Sequence, residues 1–322
     1  MSALPKEALR RGWCPSTLKP METGDGWLVR LHPPGARLTP AQLRRIAALA
    51  AEHGNGLVEV SARANLQIRG VTAESHPVLV QHLLAEHLVD EHEGDGPQRL
   101  TLVSPLAGLR EAPPENDDSG LIDAIALTEQ IEQRARTIPG LPAKLGIIVD
   151  DGGAQALDSF AGDIRLIGID GERVVLCLAD RLWRGPIPAT EAGAAVEAIL
   201  RGFGALRAAA PDRVRRLRDL PGDALADLTD LPETAAPAPR ARPRRVGLFK
   251  QKADRLATLI GLPFGRCDAA ALDKLGAAAE SGRAGIRLSP WRGLAFGDIG
   301  HTEAENLLAL ADDLGLITCD DD

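Results

Sequence analysis

The chain has 322 residues, of which 44% are apolar, enough for about two or three domains with cores of their own. Its net charge of −8 gives no basic excess for binding nucleic acid. No run of about 18 apolar residues occurs, and the first residues lack the apolar segment of a secretion signal. We therefore expect no membrane span and a cytoplasmic location.

The four cysteines are scattered through the chain and form no Cys-x-x-Cys pair. Such spacing argues against a disulfide framework and against a zinc site built from local pairs. The sequence therefore predicts no metal site of this chain's own. The cysteines are Cys14, Cys177, Cys267 and Cys319.

The N-terminal region begins with a Gly- and Pro-rich arm, residues 1–26, and a strand is predicted from Trp27 to His32. Thr39 and Pro40 then indicate the start of a helix, with Thr39 as N-cap and Pro40 in the first turn. Glycines 54 and 56 indicate where this helix ends.

The stretch from Val58 to Gly70 alternates between apolar and polar residues, a pattern typical of one half-buried strand. Side chains on one face of a strand recur about every 7 Å. Arginines and amides in such a row suit a flat ligand with many carboxylates, because guanidinium groups bind carboxylates in bidentate fashion. The alternative is an ordinary solvated sheet face. The polar residues are Glu59, Ser61, Arg63, Asn65, Gln67 and Arg69.

The middle of the chain alternates between predicted helices and strands and ends in a linker rich in Pro, Ala and Arg. The predicted elements are a helix from Pro77 to about Asp90, a strand and turn from Arg99 to Gly108, a helix over 121–138, a strand from Pro142 to Asp150 with Lys144 near its start, a hairpin of Ile164–Ile169 and Glu172–Leu178, a helix from Thr190 to Leu206, and the linker 211–245.

The chain then repeats itself. The segment from Leu31 to Thr39 is echoed by Leu262–Asp268, and Ser61–Ile68 is echoed by 289–296. Arg37 thereby matches Arg266, and Ser61 matches Ser289. Each unit is too small to bury its own sheet, so two copies packed as one pseudo-symmetric domain are predicted. The second copy keeps only Arg292 and loses the amides, so we expect the first copy to face a ligand. The alternative is chance similarity of two short segments.

Several motifs follow one another along the chain. They are Gly12-Trp-Cys-Pro15, Pro20-Met21, Gly24–Arg30, the Ser61–Arg69 stretch, Arg99–Gly108, Leu141-Pro-Ala-Lys-Leu-Gly146 and the unit from Val246 to about Ile299. Together they resemble the nitrite and sulfite reductase superfamily, and within it the precorrin-3B synthase family of cobalamin biosynthesis. The segment Leu141–Gly146 is similar to the Leu-Pro-Arg-Lys-Phe-Lys segment of that superfamily.

The resemblance implies an α+β fold. Two ferredoxin-like half-domains form one pseudo-symmetric domain, and a haem-type α+β domain of the nitrite and sulfite reductase kind is inserted between them. The predicted boundaries are an arm over 1–26, half-domain 1 over 27–95, the haem-type domain over 96–210, the linker 211–245 and half-domain 2 over 246–322.

The resemblance also implies a second haem-type domain, whose four cysteines, in Cys-x5-Cys and Cys-x3-Cys spacing, hold a [4Fe–4S] cluster. This chain ends at Cys319-Asp-Asp-Asp322, about where that domain begins in the family, and the cysteine motif is absent from its sequence. Three readings are open: a truncated chain, completion by a second polypeptide that supplies the cluster, or a tetrapyrrole-binding protein without redox activity. The sequence does not indicate the electron donor.

The resemblance implies that Arg63, Arg99 and Lys144 lie where the family binds tetrapyrrole carboxylates. The next basic position of the family motif is Gly146 here, so part of the basic set is missing. The function that follows is oxygen-dependent hydroxylation and lactone formation on precorrin-3A. The alternatives are a sirohaem-binding subunit of a nitrite or sulfite reductase, and a non-catalytic tetrapyrrole-binding protein. The expected substrate-binding residues are Arg63, Asn65, Gln67, Arg69, Arg99 and Lys144; the catalytic residues are unknown.

Overall fold

The computed structural model of the protein describes residues 14–88, 100–109, 120–251, 254–280 and 285–320. Three five-stranded sheets occur within these ranges. The helices are α1 (Pro40–His53), α2 (His76–Ala85), α3 (Ala124–Ala135), α4 (Ala189–Ala209), α5 (Gly222–Ala226), α6 (Ala269–Ala279) and α7 (His301–Asp313). Across the described part of the chain, none of them combines the length and the apolar character that a membrane crossing needs.

The first sheet belongs to half-domain 1 and is antiparallel throughout. Its last strand comes from half-domain 2, far along the chain. The order is β1 (Met21–Thr23), β2 (Gly26–Leu31), β5 (Leu66–Val71), β4 (Leu57–Val60) and β13 (Arg266–Asp268).

The second sheet is the counterpart of the first and is also antiparallel. Here the last strand comes from half-domain 1, so the two halves exchange edge strands. The order is β11 (Gly247–Lys250), β12 (Leu256–Gly261), β15 (Gly293–Ile299), β14 (Ile286–Ser289) and β3 (Arg37–Leu38).

The predicted single strand from Val58 to Gly70 is wrong: the chain folds there into the hairpin of β4 and β5. Ser61 closes the turn, because its N–H donates to the carbonyl of Asn65 at 2.9 Å and its Oγ accepts from the N–H of Asn65 at 3.2 Å. Ala64 takes a positive φ of 51° to complete the reversal. Period two persists through the turn, so the pattern alone does not reveal the reversal.

The two half-domains match in the backbone angle of a turn residue and in the capping of a helix. Ala64 corresponds to Arg292, which also has a positive φ, of 61°. Thr39 caps α1 by accepting a hydrogen bond from the N–H of Gln42, and Asp268 caps α6 in the same way. The predicted N-cap at Thr39 and the predicted duplication are thus seen in the structure.

The apolar sides of both sheets are covered by helices and share one core. In the first sheet this side includes Val58, Leu66 and Ile68, all fully buried. The helices α1 and α6 pack directly on each other, so closely that a Cβ at Gly276 would lie 2.5 Å from the Cγ of Arg44. The two half-domains therefore form a single folding unit.

The third sheet belongs to the inserted domain. Its first three strands in sequence are parallel to one another and the rest are antiparallel, and α3 and α4 pack against it. The predicted hairpin is present, and Lys144 lies in a turn before the strand rather than inside it. The order is β10 (Leu182–Pro188), β9 (Arg173–Leu178), β8 (Ile164–Gly168), β7 (Ile147–Asp150) and β6 (Thr101–Val103).

The segment predicted as a linker, 211–245, contains α5 and then runs extended along the inserted domain. Arg240 holds it there, because its guanidinium bridges Asp150, at 2.7 Å, and Asp158, at 2.5 Å. Asp150 is fully buried at the end of β7. The segment is therefore attached to the inserted domain by a partly buried network of charges.

Candidate functional site

The side of the first sheet that faces away from the helices carries a row of polar residues, one from each of four adjacent strands. Residues directly opposite each other in an antiparallel sheet share a face. The registers pair Arg30 with Gln67, Gln67 with Glu59, and Glu59 with Arg266. Part of the predicted polar face is thus present, but it is assembled across strands instead of along one strand.

The equivalent row of the second sheet combines two apolar residues with two arginines, and the inserted domain covers most of it. It consists of Leu259, Ala295, Arg287 and Arg37. Leu106 of the inserted domain packs on Leu259 and Ala295. Arg287 donates to the carbonyl of Ala107, and burial together with the neighbouring Arg37 lowers its pKa to about 10. The two sheets therefore differ: the second face is closed by the inserted domain, and the first presents polar groups.

Arg63 reaches from the hairpin turn of half-domain 1 into the inserted domain. Its Nη2 donates to the carbonyl of Ala161 at 3.2 Å. Its Nη1 lies against Gly146, where a Cβ would come within 2.3 Å of it. The guanidinium of Arg63 therefore fills the space that a side chain at position 146 would occupy.

Arg216 provides a second guanidinium at the same place, the junction of half-domain 1 and the inserted domain. It forms an ion pair with Asp163, from Nη2 to Oδ2 at 2.8 Å and from Nε to Oδ2 at 2.9 Å. Asp163 is only 2% exposed and also accepts hydrogen bonds from the N–H groups of Gly146 and Leu217. A buried carboxylate with this many donors fixes the position of Arg216 firmly.

The electrostatics of the junction are dominated by positive charge. Burial lowers the pKa of Arg63, the charge of Arg216 lowers it further, and Asp163 opposes both effects. Arg30 lies on the same side of the sheet, and burial lowers its pKa as well. Its Nε is buried without a hydrogen-bond partner among the described residues. Cys14 interacts with both Arg30 and Arg63, so this part of the N-terminal arm lies at the same place.

The remaining residues predicted along the polar row have distinct surroundings. Gln67 is buried, between Arg30 and Glu59. Asn65 lies in the turn, and its Oδ1 is buried with no hydrogen-bond partner in the described residues. Arg69 binds carboxylates of the protein itself: its Nη2 is 2.5 Å from Asp25 Oδ1 and its Nη1 is 3.7 Å from Glu59 Oε2.

Two of the predicted binding residues have no described contact at the junction. Lys144 is exposed in the turn that precedes β7. Arg99 lies outside the described residues, so its prediction has no structural counterpart here.

Sequence reasoning did not find Arg30, Asp163 or Arg216. Arg30 could have been found, since it alternates with buried Val29 and Leu31 in a predicted strand and thus faces the polar side. Arg216 had no such indication, because it lies in a segment interpreted as a linker.

The cysteines do not come together in a way that suits an iron–sulfur cluster, which needs about four converging thiolates. Cys177 is buried in β9, Cys267 is buried in β13, and Cys319 is exposed. Within the described ranges no group of three or more His, Cys, Asp or Glu side chains is arranged to hold a metal ion. The described residues therefore do not assemble the thiolates that a cluster needs.

Residues 19–86 match the family model of the nitrite/sulfite reductase ferredoxin-like half domain. A precorrin-3B synthase from Sinorhizobium sp is 35% identical over 308 residues, which cover 91% of this chain and 62% of that protein. A ferredoxin-type sulfite reductase from Mycobacterium tuberculosis is 26% identical, with coverage of 90% and 56%.

The fold is similar to the solved structure of the Mycobacterium tuberculosis NirA protein, with a TM-score of 0.68 and 23% identity, over 90% of this chain and 57% of that one. The predicted resemblance and the predicted α+β fold, with its ferredoxin-like half-domain, are thus confirmed. The chain spans about three-fifths of the length of the curated relatives that it matches.

Proposed function

We propose that this chain, a relative of the precorrin-3B synthases within the nitrite and sulfite reductase superfamily, is the tetrapyrrole-binding part of an oxidoreductase. The ligand is a macrocycle of the precorrin type with carboxylates around its edge. It binds at the junction of half-domain 1 and the inserted domain, beside the polar face of the first sheet.

The observation that carries this proposal is the meeting of Arg63 and Arg216. Arg63 belongs to half-domain 1 and Arg216 to the segment attached to the inserted domain, and Asp163 acts on both. Two neighbouring guanidiniums that share one carboxylate leave an excess positive charge, which a bound carboxylate would neutralise with charge-assisted hydrogen bonds.

Other side chains support the same ligand. Among the described residues, the buried Oδ1 of Asn65 has no donor and the buried Nε of Arg30 has no acceptor. Unsatisfied buried polar atoms are costly, at about 1–3 kcal/mol each. A macrocycle offers the ring N–H groups and carboxylates that these atoms lack, and the side chains would have to move to reach it. An ordinary solvated sheet face would leave such atoms exposed to water.

Oxidation chemistry would need an electron supply besides this binding site. We propose that it comes from a polypeptide segment other than the residues described, because the cysteines present do not assemble a cluster. The residues described here would bind the macrocycle, orient it and limit the access of water.

The proposal is tested by titrating the protein with uroporphyrin, a stable tetrapyrrole with carboxylates on every pyrrole ring, and following its absorbance. We expect saturable binding that weakens as salt is added. Arg63→Ala should weaken binding by about tenfold or more, because it removes a charge-assisted contact. Arg218→Ala is the matched control: Arg218 is an exposed arginine close to Arg216 in the chain, and its loss should leave affinity unchanged.

Absence of uroporphyrin binding by the unmodified protein would overturn the proposed function. Equal affinities for the Arg63→Ala and Arg218→Ala proteins would move the site away from the junction. Protoporphyrin, which has fewer carboxylates, should bind more weakly than uroporphyrin; the reverse order would contradict carboxylate recognition.

A further inference from the structure

We infer that Gly146 determines which guanidinium or ammonium group faces the ligand at the junction. It does so by having no side chain, which leaves room for Arg63. This inference deepens the proposed function and rests on it, since it assigns the specificity of the same site to a residue that makes no ligand contact of its own.

The backbone of Gly146 does not require glycine. Its φ lies outside the left-handed region, so other residues could adopt the same conformation. Its N–H donates to Asp163 Oδ2 at 3.0 Å, and its carbonyl accepts from the N–H of Asp163 at 2.7 Å. Both are backbone contacts that any residue except proline could make, so they do not explain the glycine.

The space around Gly146 does explain it. A Cβ there would lie 2.3 Å from Nη1, 3.3 Å from Cζ and 3.5 Å from Nη2 of Arg63, and these are its three nearest atoms. All three belong to the end of one flexible side chain. A side chain at position 146 would therefore displace the guanidinium of Arg63 and leave the surrounding backbone in place.

The exchange changes the chemistry offered to the ligand. A basic residue at position 146, as in the similar motif of the family, would present its charge from the inserted domain. With glycine there, the charge comes from half-domain 1 as a guanidinium that is next to Arg216. A guanidinium can bind one carboxylate through two parallel hydrogen bonds, and an ammonium group cannot. Binding of the carboxylate thus requires the two domains to keep their relative position.

The test is a double-mutant cycle of Gly146→Ala and Arg63→Ala, with uroporphyrin as the probe and thermal unfolding measured in parallel. Gly146→Ala should weaken binding about tenfold, with little change in Tm, because only the end of Arg63 has to move. In the Arg63→Ala background, Gly146→Ala should have no further effect on affinity. Gly222→Ala is the matched control, because a Cβ at that glycine has open space around it.

Several outcomes would contradict the inference. If unmodified and Gly146→Ala proteins bind uroporphyrin equally, the inference fails while the proposed function stands. If the effects of the two substitutions simply add, Gly146 acts through something other than Arg63. If Gly146→Ala does not fold and adding Arg63→Ala does not restore folding, the glycine serves the backbone and the inference is again overturned. If the unmodified protein does not bind the probe at all, the inference falls together with the proposed function.

Discussion

Arg63 and Trp291 occupy equivalent positions in the two half-domains and contact neighbouring residues of one loop in the inserted domain. Each is the third residue of the matching turns that begin at Ser61 and Ser289. Arg63 donates to the carbonyl of Ala161, and the Trp291 ring packs against the Phe160 ring with centroids 6.0 Å apart. The loop of the inserted domain therefore lies where the two halves of the pseudo-symmetric domain meet.

One contact is a hydrogen bond from a cation and the other is packing of aromatic rings. This difference matches the difference between the two sheet faces. The half-domain whose sheet face is polar contacts the loop through a cation. The half-domain whose sheet face is covered contacts it through an aromatic ring. A duplicated structure has thus been specialised, with one copy arranged for charge and the other for packing.

The first prediction concerns the attachment of the 211–245 segment. Replacing Arg240 with Met should lower the free energy of unfolding by about 3 kcal/mol, because it leaves the buried Asp150 without its cation. Chemical denaturation would measure this. Adding Asp150→Asn to Arg240→Met should recover part of the loss. A double variant that is less stable than the single one would show that the pair does not act as a unit.

The second prediction concerns acid stability. The hydrogen bond from Arg69 lowers the pKa of Asp25 to about 2. A carboxylate whose pKa is lower in the folded state stabilises the fold above its unfolded pKa, and the contribution is lost as the pH falls through the folded value. The loss should therefore occur between about pH 4 and pH 2.

The pair is partly exposed, so its contribution should not exceed about 1 kcal/mol. Urea denaturation at a series of pH values should show a smaller decrease over this window for Asp25→Asn than for the unmodified protein. Identical pH profiles for the two proteins would contradict the assignment. Asp223→Asn, which alters an exposed aspartate elsewhere, is a suitable control.

The third prediction concerns the reactivity of the thiols. Burial raises the pKa of Cys177 to about 11 and that of Cys267 to about 12. Because the thiolate is the reactive form, both should resist iodoacetamide in the native protein near neutral pH. Cys319 is exposed and should be modified first. Mass spectrometry of labelled peptides, before and after unfolding in urea, would measure the order. Early labelling of Cys267 would contradict its burial within the shared core.

Sequence patterns predicted most of the elements and the duplication, because these depend on local periodicity and capping. Thr39 with Pro40 indicates a helix start in any context. The turn at Ser61–Asn65 was not predicted, since it contains no glycine or proline and its alternation continues unbroken. Its counterpart after Ser289 does carry Pro290 and Gly293, so a comparison of the two copies could have revealed the reversal.

The candidate site was predicted only in part, because the tertiary fold brings together residues that are far apart in the chain. The resemblance pointed to Arg63, but only the fold shows that its guanidinium fills the space beside Gly146. Arg216 and Asp163 are 53 residues apart in the chain, and no local pattern pairs them. The polar row is assembled across strands and depends on the registers between them, which the sequence of one strand does not contain.

The exchange of edge strands has a consequence for biosynthesis. Glu59 of β4 and Arg266 beside it are 207 residues apart in the chain. The first half-domain is therefore synthesised long before the strand that completes its sheet, and β4 remains an open edge while the inserted domain is made. Open edges are sites of mistaken pairing between chains. During that interval the nascent protein should be most prone to aggregate. The interval should end when residues 266–268 have left the ribosome and can pair with β4.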